Sequence, residues 1–216
     1  MHLKTFLKTA LQKLDRLSLH PVLYPFVMSN AEKKLFDQAI KDSRHYLEFG
    51  LGGSTIRAIQ KSKAMVYSVE SSADWVECVR KYLFVRLSER RRLRIFQPSI
   101  GPVGDWGYPT SNEFRNLFER YSSEVFQAID SRLIDLALID GRFRVACTLQ
   151  LIMACRDNRN IRVLIHDFWN RPQYHAVLKY LDTVGRADTL GLFSIKKEID
   201  MGLVRQDYES YKFTPE

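Results

Sequence analysis

Cysteine is scarce. Cys78, Cys147 and Cys155 form an odd set with no metal-type spacing, each inside an apolar, helix-like stretch. That usage excludes a disulfide scaffold and fits a reducing compartment. Long apolar runs are missing too. The longest core-like stretch, Leu133 to Ile139, is broken by Asp135, far short of the ~18–20 residues that cross a bilayer. The N-terminus has a charged start but no uninterrupted apolar segment with a small-residue cleavage site, so a secretory signal is not expected. No low-complexity tract, internal repeat or interdomain linker interrupts the chain. What remains is an ordinary globular balance over 216 residues, 45% hydrophobic and 27% charged, which excludes disorder and leaves room for one domain. A cytoplasmic protein is expected.

The net charge of +8 is concentrated in two places. Residues 1–20 carry Lys4, Lys8, Lys13 and Arg16 against Asp15. Residues 80–94 carry Arg80, Lys81, Arg86, Arg90, Arg91, Arg92 and Arg94 against Glu89. Such clusters serve nucleic acid, anionic lipid or a phosphorylated substrate, or are solvated helix faces. In the first cluster, Leu3, Phe6, Leu7, Ala10, Leu11, Leu14 and Leu17 recur at helical spacing, ended by Pro21 and Pro25. Residues 1–28 therefore read as a basic amphipathic helical extension. It either docks on its own core, the favoured expectation, or contacts a partner or the inner face of a membrane.

Residues 29–216 read as the main domain. Ser29-Asn30-Ala31-Glu32 has the capping-box pattern, opening a helix that carries Leu35, Phe36 and Ile40 inward and ends near Ser43. Short apolar strands then alternate with helices. The strands expected are 45–49, 65–70, 93–97, 134–139 and 162–166, followed by an antiparallel edge hairpin of 191–196 and 202–206. The helices expected are 54–60, 73–87, 112–129, 144–156 and 172–183. This pattern predicts an α/β fold with a mainly parallel seven-stranded sheet covered by helices on both faces.

Seven of the ten glycines, Gly50, Gly52, Gly53, Gly101, Gly104, Gly107 and Gly141, follow the ends of the first, third and fourth predicted strands. Ligands on open α/β sheets bind beyond those ends. The most informative stretch is Tyr46-Leu47-Glu48-Phe49-Gly50-Leu51-Gly52-Gly53-Ser54-Thr55: strand, glycine turn, helix start. Its backbone N–H groups and helix N-terminus suit an anionic ligand group. Threonine at position 55 departs from the dinucleotide pattern G-x-G-x-x-G, and Glu48 suits a ligand with a cationic amino group.

Glu48-Phe49-Gly50-Leu51-Gly52-Gly53-Ser54-Thr55 resembles motif I of the class I S-adenosylmethionine-dependent methyltransferases. Met65 to Glu70 is similar to that family's second strand, whose terminal acid binds the ribose hydroxyls, and Glu70 follows Glu48 by 22 residues. The resemblance implies a Rossmann-like fold and S-adenosylmethionine as cofactor. Its site would be Glu48, Phe49, Gly50, Gly52, Ser54, Thr55, Glu70, Ser71, Ser99, Ile100 and Asp140. Where the family carries an acid for the adenine amino group, this chain has Phe96-Gln97-Pro98-Ser99-Ile100-Gly101, so Ser99 would accept that bond and Ile100 pack on the ring. Ile139-Asp140-Gly141-Arg142-Phe143 and Leu164-Ile165-His166-Asp167-Phe168 resemble the D-G and H-D motifs of a subset linked to sugars and small natural products.

The resemblance implies methyl transfer to an oxygen acceptor, a hydroxyl of a glycan or small metabolite. His166, Asp140 and Asp167 are the catalytic candidates: His166 serves as base, or a divalent metal on Asp140 and Asp167 lowers the hydroxyl pKa. Either aspartate equally suits an N-cap. The loop Gly101–Pro109 places Asp105, Trp106 and Tyr108 over the ligand mouth, either as a lid or as a self-packed loop, with Arg142 beside it for an anionic acceptor group. The second reading is a nucleic-acid methyltransferase or binding module using residues 80–94.

Overall fold

The computed structural model describes residues 11–158 and 160–216. Ser29 and Glu32 make the reciprocal bonds their spacing predicts. The Ser29 hydroxyl accepts from the Glu32 amide at 3.2 Å and the Glu32 carboxylate from the Ser29 amide at 2.7 Å, opening α1 (Asn30–Ile40). Strand and helix then alternate: β1 (His45–Phe49), α2 (Gly53–Lys61), β2 (Met65–Val69), α3 (Ala73–Arg80), α4 (Leu83–Glu89) and β3 (Leu93–Phe96). After an irregular stretch holding α5 (Glu119–Ser123) come β4 (Leu136–Ile139), α6 (Arg144–Ala154) and β5 (Arg162–Ile165). The edge is β6 (Leu181–Ala187) and β7 (Leu190–Ile195), and α7 (Met201–Tyr211) follows.

The seven strands lie in the order β3-β2-β1-β4-β5-β7-β6. β1 to β5 are parallel and β7 pairs antiparallel with both β5 and β6. Both faces of the central strands are buried, as their near-continuous apolar runs require. Leu47, Phe49, Ala137, Ile139, Val163 and Ile165 face one layer; Tyr46, Val66, Leu136, Leu138 and Leu164 face the other. The chain runs outward from β1 to β3 and returns to β4 on the far side of β1. Strand order therefore reverses between β1 and β4, which opens a crevice at their C-terminal ends.

The edge differs from expectation. The hairpin is β6–β7, turning at Asp188-Thr189, so residues 181–183, expected to end the helix 172–183, begin a strand that runs to Ala187. Residues 202–206 belong to α7, whose N-cap Asp200 accepts from the amides of Gly202 (2.7 Å) and Leu203 (3.3 Å). The helix expected over 112–129 is short: 3-10 turns flank α5. The helix expected over 73–87 is two, α3 and α4.

Of the N-terminal extension, residues 1–10 lie outside the described residues and 11–15 are helical. The following strap docks through polar and backbone groups. The Asp15 carboxylate accepts from the amides of Val22 and Leu23, the Arg16 carbonyl from Leu83, and the Pro21 carbonyl from Gln60. It then follows α2 toward the glycine turn, where a Cβ on Gly53 would meet the Pro25 carbonyl at 2.2 Å. Among the described residues the core docking expected of the helix leucines is absent, since Leu11, Leu14 and Leu17 are all exposed, while Leu3, Phe6, Leu7 and Ala10 lie outside them.

Candidate active site

The glycine turn between β1 and α2 is held from below. Glu48 is fully buried, and three hydroxyls donate to its carboxylate: Tyr46 at 2.9 Å, Ser68 at 2.9 Å and Thr55. Thr55 in turn accepts from the Gly52 amide at 2.9 Å, and the Gly50 amide donates to the Val69 carbonyl at 2.8 Å. Glu48, Thr55 and two glycine amides expected to face the cofactor are therefore spent on the turn itself. Phe49 is also fully buried, in the core. The cramped glycine is Gly50, at φ +111°, where a Cβ would sit 3.1 Å from the Gly141 amide. Gly52 has ordinary room, with Trp75 at 3.8 Å. Trp75 lies against it and donates from its indole to the Leu51 carbonyl at 2.6 Å.

Burial pushes the Glu48 carboxyl up to about 7, against the lowering effect of its hydroxyl donors. The folded chain then holds a proton there that the unfolded chain releases near 4.5. Stability contributed by this group falls as pH rises from about 4.5 to about 7, on the order of 3 kcal/mol in all. Glu48→Gln is expected to flatten that slope in urea titrations run at pH 5 and pH 8. An unchanged slope assigns it to other groups.

Glu70, at the end of β2, is nearly buried and accepts from the Ser72 amide at 2.8 Å. Burial raises its carboxyl above the ordinary range despite amide donors and the Arg142 charge. Ser71 Oγ and Arg142 Nε are buried without hydrogen-bond partners among the described residues, and both flank Gly107, where a Cβ would lie 3.7–3.8 Å from Glu70, Ser71 and Arg142. Gly107 belongs to a small hairpin loop closed by the Val103–Pro109 bridge and the Gly104 amide to Tyr108 carbonyl bond (2.8 Å). The aromatics do not pack this loop on itself. Trp106 is 81% exposed at φ +58°, and Tyr108 lies under the Arg142 guanidinium at 4.3 Å. Asp105 and Ser99 are exposed at the rim, Ser54 is buried at the start of α2, and Ile100 packs in the core.

At the ends of β4 and β5 the expected cluster is present. His166 Nδ1 lies 2.8 Å from Asp140 Oδ1 and 4.0 Å from Asp167 Oδ1. Its Nε2 faces Glu32 Oε2 at 3.6 Å. Glu32 is meanwhile occupied by Ser29 and by the Thr189 amide and hydroxyl. Burial disfavours the imidazolium, but the Asp140 hydrogen bond and the charges of Asp140 and Asp167 outweigh it, so His166 titrates above its ordinary value. Burial likewise opposes ionised Asp140, but His166, Arg144 and Arg142 hold its carboxyl below the usual range. The Asp140 side chain is 28% exposed and that of His166 10%, so Asp140 is the member open to a ligand.

Neither aspartate caps a helix: Phe143 and Arg171 occupy those positions. Arg144, 4% exposed, bridges them instead, 3.3 Å from Asp140 and 3.2 Å from Asp167. A guanidinium thus stands where a divalent cation between the two carboxylates would sit, and the residues do not fit the metal alternative. Among the described residues no group of three or more His, Cys, Asp or Glu side chains is placed to hold an ion. Trp106, Phe143 and Asp167 all take positive φ near this end of the sheet, the kind of strain that collects at functional sites.

Arg144, Glu32 and Trp75 were not expected here. Arg144 left one clue, a cation in the first turn of a helix against the helix dipole. The basic run 80–94 lies elsewhere. Arg80 pairs with Glu77 and Glu89, Arg92 donates to the carbonyls of Ala64 and Ile59, and Arg90 and Arg91 directly precede β3, at the end of the sheet opposite the crevice.

Strand order and glycine turn together give this chain the Rossmann-like fold of the class I S-adenosylmethionine-dependent methyltransferases. The chain is 28% identical to a methyltransferase-like protein from Silicibacter pomeroyi, over 89% of this chain and 98% of that one, with a TM-score of 0.77. The MycE methyltransferase of mycinamycin biosynthesis, solved with magnesium, S-adenosylhomocysteine and mycinamycin VI, is 12% identical (TM-score 0.43, covering 83% and 53%). An rRNA methylase from Streptococcus thermophilus is 11% identical (TM-score 0.44, covering 81% and 100%). No protein-family model and no curated sequence relative matches the chain.

Proposed function

We propose that this protein is an S-adenosylmethionine-dependent O-methyltransferase acting on a hydroxyl of a glycan or small metabolite. Residues 29–216 carry the reaction and residues 1–28 are an accessory element. The observation that carries the reading is the Asp140–His166 pair, 2.8 Å apart at the end of the sheet that also holds the glycine turn. The crevice chemistry fits the cofactor: Ser71 and Arg142 offer unpartnered buried polar atoms beside Glu70, a carboxylate suited to two ribose hydroxyls. S-adenosylmethionine, when bound, supplies an already activated methyl group.

The protein's own part is alignment and proton removal. Asp140 accepts the hydrogen bond of the acceptor hydroxyl, and the proton it loses is held by the Asp140–His166 pair, with the imidazole as final carrier. Arg144 keeps Asp140 ionised and fixes its geometry from behind. The Gly107 loop, seated on Glu70, Ser71 and Arg142, moves aside for the cofactor and brings Trp106 and Tyr108 to the acceptor. Nucleic acid is the weaker reading, because the basic run lies at the far end of the sheet from the crevice.

Calorimetry with S-adenosylhomocysteine tests the cofactor site. Glu70→Ala is expected to lose about 1.5–3 kcal/mol of binding, the range for hydrogen bonds to a charged group. Unchanged affinity would reject the ribose assignment. A methyl-release assay over a hydroxyl-acceptor panel, run beside a structured RNA, tests the substrate class; turnover on RNA alone would overturn it.

A further inference from the structure

The strap leucines and the cations around them find no use in the crevice. Leu11, Leu14, Leu17 and Leu19 are between 56% and 66% exposed and Val22 is 76% exposed, although the strap itself is pinned by Asp15, Arg16 and Pro21. A fixed row of exposed aliphatic side chains is unusual on a monomer surface. In the sequence, Leu3, Phe6 and Leu7 continue the same spacing.

The row ends at His20, which lines an open groove of about 640 Å³ together with Lys41, Arg44, Lys61, Lys63 and Arg92. Among the described residues Asp42 is the one acid lining it. Arg44, Lys63 and Arg92 stand just before β1, β2 and β3, so the groove is the base of the sheet, opposite the glycine turn. Exposed Lys13, Lys81, Arg86, Arg90 and Arg91 extend the basic field beside the strap. None of Lys13, Lys41, Arg44, Lys61, Lys63 or Lys81 has a salt-bridge partner among the described residues.

We infer that this end of the molecule docks on an anionic lipid bilayer. The strap leucines enter the headgroup boundary and the basal lysines and arginines meet the lipid charge. Aliphatic rather than aromatic exposure favours lipid over nucleic acid, whose bases stack on aromatic rings. The crevice, at the other end of the sheet, stays open to water when the base is on the membrane. Docking in this sense is independent of which acceptor is methylated.

Flotation of the full chain with vesicles of phosphatidylcholine and 30% phosphatidylserine tests it, with pure phosphatidylcholine as control. Binding to the anionic vesicles alone is expected, released by 0.5 M salt. Leu14→Asp with Leu17→Asp should weaken it at least tenfold, as should Lys61→Glu with Lys63→Glu, each with an unchanged melting temperature. Three results would overturn the inference. They are no flotation of the parent chain, flotation indifferent to the leucine changes, and a leucine-dependent dimer in sedimentation velocity. Retention by a single-stranded RNA that the lysine changes abolish, without flotation, assigns the surface to nucleic acid instead.

Discussion

Arg144→Leu is expected to be the most damaging single change outside the hydrophobic core, costing roughly 3–5 kcal/mol as a broken buried ion pair does. Arg144 reaches Asp140 and Asp167 and also donates to the backbone carbonyls of Gly141 (3.1 Å), Asp140 (3.3 Å) and His166. Leucine fills part of the volume but leaves two carboxylates facing each other near His166 without their shared cation. In a chain this size each kcal/mol moves the midpoint about 2–4 °C, so a fall of roughly 6–20 °C is expected. The defect carries a pH signature. With the guanidinium gone, Asp140 loses one of the charges that hold its carboxyl below the ordinary value and takes up a proton more readily than in the parent. The parent loses the stability tied to that lowered carboxyl as pH falls below about 4 and the variant loses less of it, so the gap between them narrows there. A defect of equal size at neutral and at acid pH would mean lost packing against Tyr174, which lies 5.4 Å from the guanidinium, rather than lost charge. Arg144→Lys should recover only part, since an ammonium cannot fork between two carboxylates.

The sheet centre was legible because its strands bury both faces and so read as apolar runs. β1, β2 and β3 begin at the expected residues. The edge was not. β6 carries Asp182, Thr183, Val184 and Arg186 on exposed or half-exposed positions, which an edge strand tolerates and which reads like a loop or a helix end. The helix at 201–211 hid behind Gly202, although Asp200 ahead of it was an N-cap signal and buried Val204 and Tyr208 stand four apart. In the candidate site, Glu70, Asp140 and His166 follow local motifs, and the fold carries them to the C-terminal ends of β2, β4 and β5. The surroundings of Glu48 were not legible: sequence puts an acid next to a glycine turn without saying that Tyr46, Thr55 and Ser68 enclose it. Glu32 reaches the cluster only through the fold, since Thr189, which it binds, is 157 residues away. No spacing rule carries that information.

His166→Ala is expected to lower turnover by about 10²–10⁴, the usual worth of a positioned acid–base group, while S-adenosylhomocysteine affinity stays within a factor of two or three. The sign of the pH dependence follows from the neighbours. Asp140 and Asp167 hold His166 above its ordinary value, so the imidazole carries a proton at pH 6 and must release it before it can take one from an acceptor. Turnover of the parent should therefore rise with pH through that elevated value and then level off. Stability runs the other way. The charge pairing adds stability below the unfolded value near 6.5 and that contribution is lost as pH rises through the folded value. Opposite slopes of activity and stability in one window are hard to produce by a purely structural role. Asp140→Asn separates the partners further, because an amide keeps a hydrogen bond to His166 but not the charge that raises it. In that variant the activity rise should move to lower pH with a reduced plateau. If His166→Ala turns over like the parent at pH 7, or if Asp140→Asn leaves the midpoint where it was, the pair is not the proton acceptor. The hydroxyl would then lose its proton to another group in the crevice.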